Sequence, residues 1–254
     1  MYQSPNDDNG YDISDYQDIM EEFGTMEDFN HLLSEVHKRG MKLILDLVVN
    51  HTSDEHPWFI ESRSSKDNPK RDWYIWADPK PDGSEPNNWE SIFNGSTWEY
   101  DDTTKQYYFH LFSKKQPDLN WSNPDVREAV FKMMNWWFEK GIDGFRVDAI
   151  THIKKTFEAG DLPVPKGKQY APAFDVDMNQ PGIQDWLQEM KDKSLSHYDI
   201  MTVGEANGVN PDNAKEWVGE KEGKFNMIFQ FEHLGLWSTG DSKFDVLSYK
   251  NVLN

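Results

Sequence analysis

The chain has 254 residues, and 26 Lys plus Arg face 45 Asp plus Glu, a formal net charge of −19. That balance argues against electrostatic binding to nucleic acid or to an anionic membrane surface. The absence of cysteine rules out a disulfide scaffold and a thiolate zinc site, and the length fits one large domain or two small ones.

The polar stretch 1–10 has no apolar core of the signal-peptide kind, and no run approaches the ~18 apolar residues of a membrane span. With no cysteine, these features give a cytoplasmic location as the expectation. Residues 25–39 read as a helix: Thr25 and Asp28 form a loose capping box, Gly40 stands at the stop, and Phe29, Leu32, Leu33 and Val36 recur at helical spacing. A strand follows at 41–50 (MKLILDLVVN), near-continuously apolar as a parallel strand covered on both faces would be.

Residues 52–121 then break the rhythm. They are rich in Asp, Asn, Pro, Trp and Tyr with a strand-like run at 106–111, too long for a simple loop, so they are expected to form an inserted subdomain. Three more helix-then-strand units follow. Ser122, Asn123 and Pro124 open a helix closed by Gly141, with Val126, Val130, Met133, Met134 and Trp137 as its buried stripe, before the strand 142–150 (IDGFRVDAI). Trp136, Trp137 and Phe138 are read as core on this helix. A second long connection, 151–181, carries Pro163, Pro165, Pro172 and Pro181. A helix over 179–193 precedes the strand 199–204 (DIMTVG), and Asn210-Pro211 opens a short helix before the strand 225–231 (FNMIFQF). Repeated helix–strand units argue for a parallel α/β sheet with 1–51 and 122–254 as its two parts.

The chemistry shows at the strand ends: Asn50-His51, then Arg146-Val147-Asp148, then Gly204-Glu205, then Glu232-His233. Both long connections also leave from such ends. Period-2 alternation puts Arg146 and Asp148 on one face. Two carboxylates from neighbouring strands, with an Arg and a His, suit cleavage of a glycosidic bond, one attacking the sugar and the other protonating the leaving oxygen. The Arg is expected to keep the first carboxylate ionised. Fourteen per cent aromatic residues, including 11 Trp, suit stacking on sugar rings as well as a core. Solvated charges at a sheet rim are the plain alternative.

The segments DLVVNHTS (46–53), GFRVDAI (144–150), VGEAN (203–207) and QPDLNW (116–121) resemble the ordered signatures of the α-amylase family, glycoside hydrolase family 13. Within it, SPNDDNGYDISDY and HLFSKKQPDLNW are similar to the oligo-1,6-glucosidase and α-glucosidase group. The resemblance implies a partial TIM (β/α)8 barrel, about strands three to six, with the inserted B subdomain at 52–121. It implies a glycoside hydrolase of α-glucosidase type acting with retention, Asp148 as nucleophile and Glu205 as acid/base. Arg146 would orient Asp148. Asp8, Tyr11 and His51 would hold the terminal glucose, and Phe93 and Phe112 would wall an exo-acting pocket. No cofactor and no metal are implied, and small α-gluco-oligosaccharides are the expected partners, with neither nucleic acid nor membrane.

His51, Asp54, Glu55 and His56 imitate a metal cluster, but the spacing is not H-E-x-x-H. Asp7, Asn9 and Gly10 imitate part of a calcium loop, which Pro5 and Tyr16 defeat. Asp101-Asp102 reads as a turn. Ala149, after the nucleophile, resembles enzymes that accept α-1,4 bonds, so malto-oligosaccharides are the expected substrate. Oligo-1,6-glucosidase is the alternative, trehalose-6-phosphate hydrolysis a third reading, and a non-catalytic binding module the rival class. The family's third carboxylate, in an FxxNHD-type motif, has no counterpart before Asn254, and the first two barrel strands would precede Met1. The chain is therefore expected to be part of an enzyme and inactive alone, since an open barrel leaves edge strands uncovered. Expression of residues 1–254 tests this: no cooperative unfolding and no turnover of p-nitrophenyl α-glucoside are expected, and a soluble, cooperatively folding, active monomer would contradict it.

Overall fold

A computed structural model describes residues 1–237 and 245–253. The chain opens on a short antiparallel pair, β1 (Tyr2–Gln3) with β2 (Asp15–Ile19). Thr25 then caps α1 (Met26–Lys38). Its Oγ1 accepts from Asp28 N at 3.2 Å, while the Asp28 carboxylate accepts from Thr25 N at 2.8 Å. Phe29 and Leu33 are buried under this helix, but Leu32 is half exposed, so its apolar face is narrower than the periodicity suggested. β3 (Ile44–Val48) follows.

The insertion begins with α2 (Pro57–Ser64) and holds an antiparallel sheet of β4 (Trp76–Ala77), β5 (Trp98–Asp101) and β6 (Gln106–Phe109), with β6 central. Trp89, Trp98, Phe109, Leu111 and Ala173 form a cluster of their own there, with Phe157, Leu162 and Val176 against it. The connection 151–181 thus packs on the insertion. Asp101, read as a turn residue, closes β5 from a buried position, taking hydrogen bonds from Arg63 and from Thr104 N and Oγ1; Asp102 begins the turn itself.

α3 (Pro124–Lys140) is capped by the Asn123 side chain and stopped by Gly141 in the left-handed region. All five residues of its expected stripe are buried. β7 (Gly144–Asp148), α4 (Phe174–Asp177), α5 (Ile183–Lys193), β8 (Met201–Gly204), α6 (Ala214–Val218), β9 (Met227–Ile228) and α7 (Val246–Leu253) complete the order. α5 starts later than expected because Asn179, at φ 53°, and Gly182, at φ 84°, form a turn around Pro181. α6 likewise begins beyond the turn opened by Asn210. The last strand is cut to two residues, and Glu232 and His233 lie on a 3₁₀ helix rather than at a strand end.

β3, β7, β8 and β9 form one parallel sheet in sequence order. At its amino-terminal end Asp143 stitches strands together. Burial opposes its charge, but Lys42 Nζ and Leu43 N at 2.8 Å and His37 Nε2 at 2.7 Å outweigh that and bring the carboxyl down to about 2. Gly144, one residue on, has φ 149°, and a Cβ there would lie 1.7 Å from the Met201 carbonyl oxygen. Only glycine lets β7 and β8 approach this closely. Gly144→Ala is expected to cost at least about 2 kcal/mol, read as a lowered denaturation midpoint in a protein carrying this chain at its relatives' full length. An unchanged midpoint would contradict the reading.

Candidate active site

Parallel register decides which side chains meet. Asp46 on β3 stands opposite Arg146 on β7, and Val48 opposite Asp148. Glu205 follows β8 directly and is anchored by its N–H on the Val147 carbonyl at 2.8 Å. Three strands therefore deliver three carboxylates to one guanidinium. Arg146 Nη1 donates to Asp46 Oδ1 at 2.8 Å and to Asp148 Oδ1 at 2.5 Å, and Nη2 donates to Glu205 Oε2 at 2.6 Å. Glu205 Oε2 also accepts from Ala149 N at 3.2 Å. Asp46 Oδ2 accepts from the Tyr11 hydroxyl at 3.0 Å.

Ionisation departs from the simple expectation for Asp148. Burial raises its pKa; Arg146 pulls it down, but the Glu205 and Asp46 carboxylates push it up again, and the net direction is upward. One guanidinium shared among three carboxylates opposes this rise without cancelling it. The nearby Glu205 and Asp46 carboxylates therefore favour the protonated form of Asp148. Burial lowers the basicity of Arg146, yet its carboxylate partners raise it on balance, so it stays charged. Burial and Asp46 push the Tyr11 hydroxyl up to about 12, so it remains a donor.

All eight residues picked out by the sequence line one pocket of about 270 Å³: Asp8, Tyr11, His51, Phe93, Phe112, Arg146, Asp148 and Glu205. Asp8 is held by Gln116 Nε2 at 3.0 Å. Phe112 stands edge-on to Phe93 at 5.7 Å and tilts against His51 at 5.1 Å. Phe93 is half exposed at the mouth. Ile92, Ala149, His152 and Asn207 complete the lining. Of these, sequence reasoning singled out only Ala149. Nor did it assign a role to Asp46, although an acid inside an apolar parallel strand demands a partner and was a usable signal.

The groups that imitate metal sites have other partners. Asp54 pairs with Lys115 Nζ at 2.9 Å, and His56 Nδ1 caps α2 by accepting from Trp58 N. Among the described residues no three His, Cys, Asp or Glu gather as metal ligands. The loop at Asp7–Gly10 closes on buried Asp12, which accepts from Asp7 N, Asp8 N and Ser4 Oγ. Among the described residues no helix is long and apolar enough to cross a membrane.

The family described as "Alpha amylase, catalytic domain" matches residues 1–253. The chain belongs to the α-amylase family. It is 63% identical over its whole length to a probable oligo-1,6-glucosidase 3 of Bacillus subtilis, covering 46% of that protein. It is 59% identical, over 97% of its length, to an oligo-1,6-glucosidase of Parageobacillus thermoglucosidasius, covering 44% of it. Among solved structures, a trehalose-6-phosphate hydrolase of Bacillus licheniformis superposes with a TM-score of 0.92 at 46% identity, covering all of this chain and 45% of the other. The isomaltulose synthase of Protaminobacter rubrum follows at 0.90 and 42%, over 99% of this chain and 45% of that one. The chain thus spans less than half the length of these relatives, and its parallel sheet is part of a TIM barrel.

Ala149 deserves a separate test because its backbone is left-handed, at φ 44° and ψ 32°. A β-branched residue resists that conformation and glycine does not. In a protein carrying this chain at its relatives' full length, Ala149→Val is expected to lower stability by about 1–2 kcal/mol and Ala149→Gly by less, measured by thermal unfolding. Equal stability of the two variants would show that the turn relaxes without strain.

Proposed function

We propose that this chain supplies the nucleophile and the acid/base of a retaining, exo-acting α-glucosidase that releases glucose from non-reducing ends, with oligosaccharides bearing α-1,6 bonds as preferred substrates. The observation that carries the proposal is the Arg146 bridge, which holds Asp148 and Glu205 on one guanidinium at the wall of one pocket.

In this mechanism Asp148, ionised, attacks the anomeric carbon from one face while protonated Glu205 gives its proton to the glycosidic oxygen. The glycosidic bond breaks, and glucose stays bound through an ester to Asp148. Glu205, now a carboxylate, takes a proton from water, and the resulting attack on the same carbon restores both groups with retention. A proton must sit on Glu205, and none on Asp148, when the sugar is bound. Sugar binding that draws Glu205 off Arg146 and Ala149 N toward the glycosidic oxygen accomplishes this, leaving Arg146 to Asp148. Asp8, Tyr11 and His51 hold the terminal glucose, and Phe93 and Phe112 stack on it. A pocket of about 270 Å³ lies near the lower end of ligand sites, ~300 Å³, and suits one sugar ring.

The relatives' names support α-1,6 bonds, against the α-1,4 preference expected from Ala149. That preference stays as the second reading because Ala149 lines the pocket. In a protein carrying this chain at its relatives' full length, Asp148→Asn is expected to cut kcat by at least about a thousandfold, ~4 kcal/mol. Retention of a tenth of the activity would remove Asp148 from the role. The unaltered protein is expected to show a higher kcat/KM for isomaltose than for maltose; the reverse order establishes the second reading.

A further inference from the structure

Behind the pocket wall lies a charged pair with no contact to the reacting groups. Lys155 Nζ is bound to Asp118 Oδ2 at 2.5 Å and to Asn50 Oδ1 at 2.9 Å, and both charged side chains are buried. Asn50 Nδ2 donates to the same Asp118 oxygen at 3.0 Å, and Asp118 Oδ1 accepts from Leu111 N at 2.8 Å. Lysine at the carbonyl end and aspartate at the amide end leave Asn50 a single orientation. Its remaining N–H then points at His51 Nδ1, 3.2 Å away.

The other ring nitrogen meets a second oriented amide. Gln116 Oε1 accepts from Ser113 N at 3.1 Å, which turns Gln116 Nε2 toward Asp8 and toward His51 Nε2 at 3.1 Å. The one acceptor at His51 Nε2 is the Tyr11 carbonyl at 3.1 Å. A doubly protonated ring would set N–H against N–H at both nitrogens, and a single proton faces an amide N–H at either one; only Nε2 has an acceptor, the Tyr11 carbonyl, so the ring carries one proton, on Nε2. We propose that Lys155, Asp118 and Asn50 are positioning residues that lock His51 as a neutral ring protonated on Nε2, so that the pocket meets its ligand with an uncharged imidazole.

The charges around His51 agree. Burial lowers its pKa first; Asp118 and Asp8 raise it and Lys155 lowers it, with the net direction downward. Arg146, Asp148, Glu205 and His152 face it across the pocket. A neutral His51 leaves the cationic character of the site to Arg146 and to the sugar itself. That consequence rests on the glucosidase reading, whereas the tautomer does not.

The test is a ¹⁵N titration of the histidine rings in the intact protein. His51 is expected to stay neutral, with Nδ1 unprotonated, from about pH 8 to about pH 5. In Asn50→Asp, an isosteric change that turns the donor at Nδ1 into an acceptor, His51 is expected to gain a proton within that range. Lys155→Met frees Asn50 and removes the opposing charge, and is expected to act in the same direction. In both variants KM for a glucoside is expected to rise about tenfold at pH 6 with a smaller change in kcat, ~1.4 kcal/mol of binding. If neither variant folds, the titration of the unaltered protein decides. A His51 that titrates between those pH values, or carries its proton on Nδ1, overturns the proposal, as does Asn50→Asp with an unchanged titration. An inactive protein with a locked His51 would count against the glucosidase reading and leave the lock standing.

Discussion

The site depends on one guanidinium serving three carboxylates. Arg146 lies in the middle of three strands, and Asp46, Asp148 and Glu205 reach it from β3, β7 and β8. Nothing about that arrangement is local. It requires parallel register, with Asp46 opposite Arg146, and it requires β8 to run close enough for Glu205 to reach Nη2. Gly144 meets the second condition by leaving out the Cβ that would strike the Met201 carbonyl. Asp143 secures the same strands at the opposite end. Three carboxylates around one guanidinium repel one another, and with burial this pushes the Asp148 carboxyl upward against the pull of Arg146.

Much of this was legible in the sequence because the signals are short-range. The capping box at Thr25, the Asn123-Pro124 start and the Gly141 stop act within one turn of helix, and each is found where its residues stand. His51, Arg146, Asp148 and Glu205 were legible because they stand at strand ends that parallel strands bring to one rim, whereas Asp8, Tyr11, Phe93 and Phe112 followed only from the family resemblance. What escaped depends on contacts distant in sequence. Asp46 looked like one acid in an apolar strand until register set it against Arg146. Lys155 carries no local signal, yet its ammonium is buried between Asn50 and Asp118, residues 105 and 37 positions away. Of the strand expected at 225–231 only Met227–Ile228 pairs, and a 3₁₀ helix starts at Glu232.

The insertion and the connection 151–181 act as a single wall rather than two excursions from the sheet. Trp89 stacks on Phe157 at 5.2 Å, and its indole donates to the Gly160 carbonyl at 2.8 Å. Phe112, on the same insertion, contacts His51 and stands 6.3 Å from His152. Lys155 joins that wall to the end of β3 through Asn50. The pocket's aromatic face and its acidic floor are therefore held by the same framework, and Asn179, which donates to the Asn207 carbonyl at 2.8 Å, ties in the loop after Glu205.

In the proposed mechanism Asp148, tethered to Arg146, forms a covalent bond to the sugar. The most direct measurement is peptide mass spectrometry after exposing the intact protein to a 5-fluoro α-glucosyl fluoride, whose electron-withdrawing fluorine slows hydrolysis of the intermediate. A single added fluoroglucosyl group on the peptide containing Asp148 is the result predicted. Turnover with no adduct on that peptide, or an adduct on Glu205 or Asp46 instead, would contradict it.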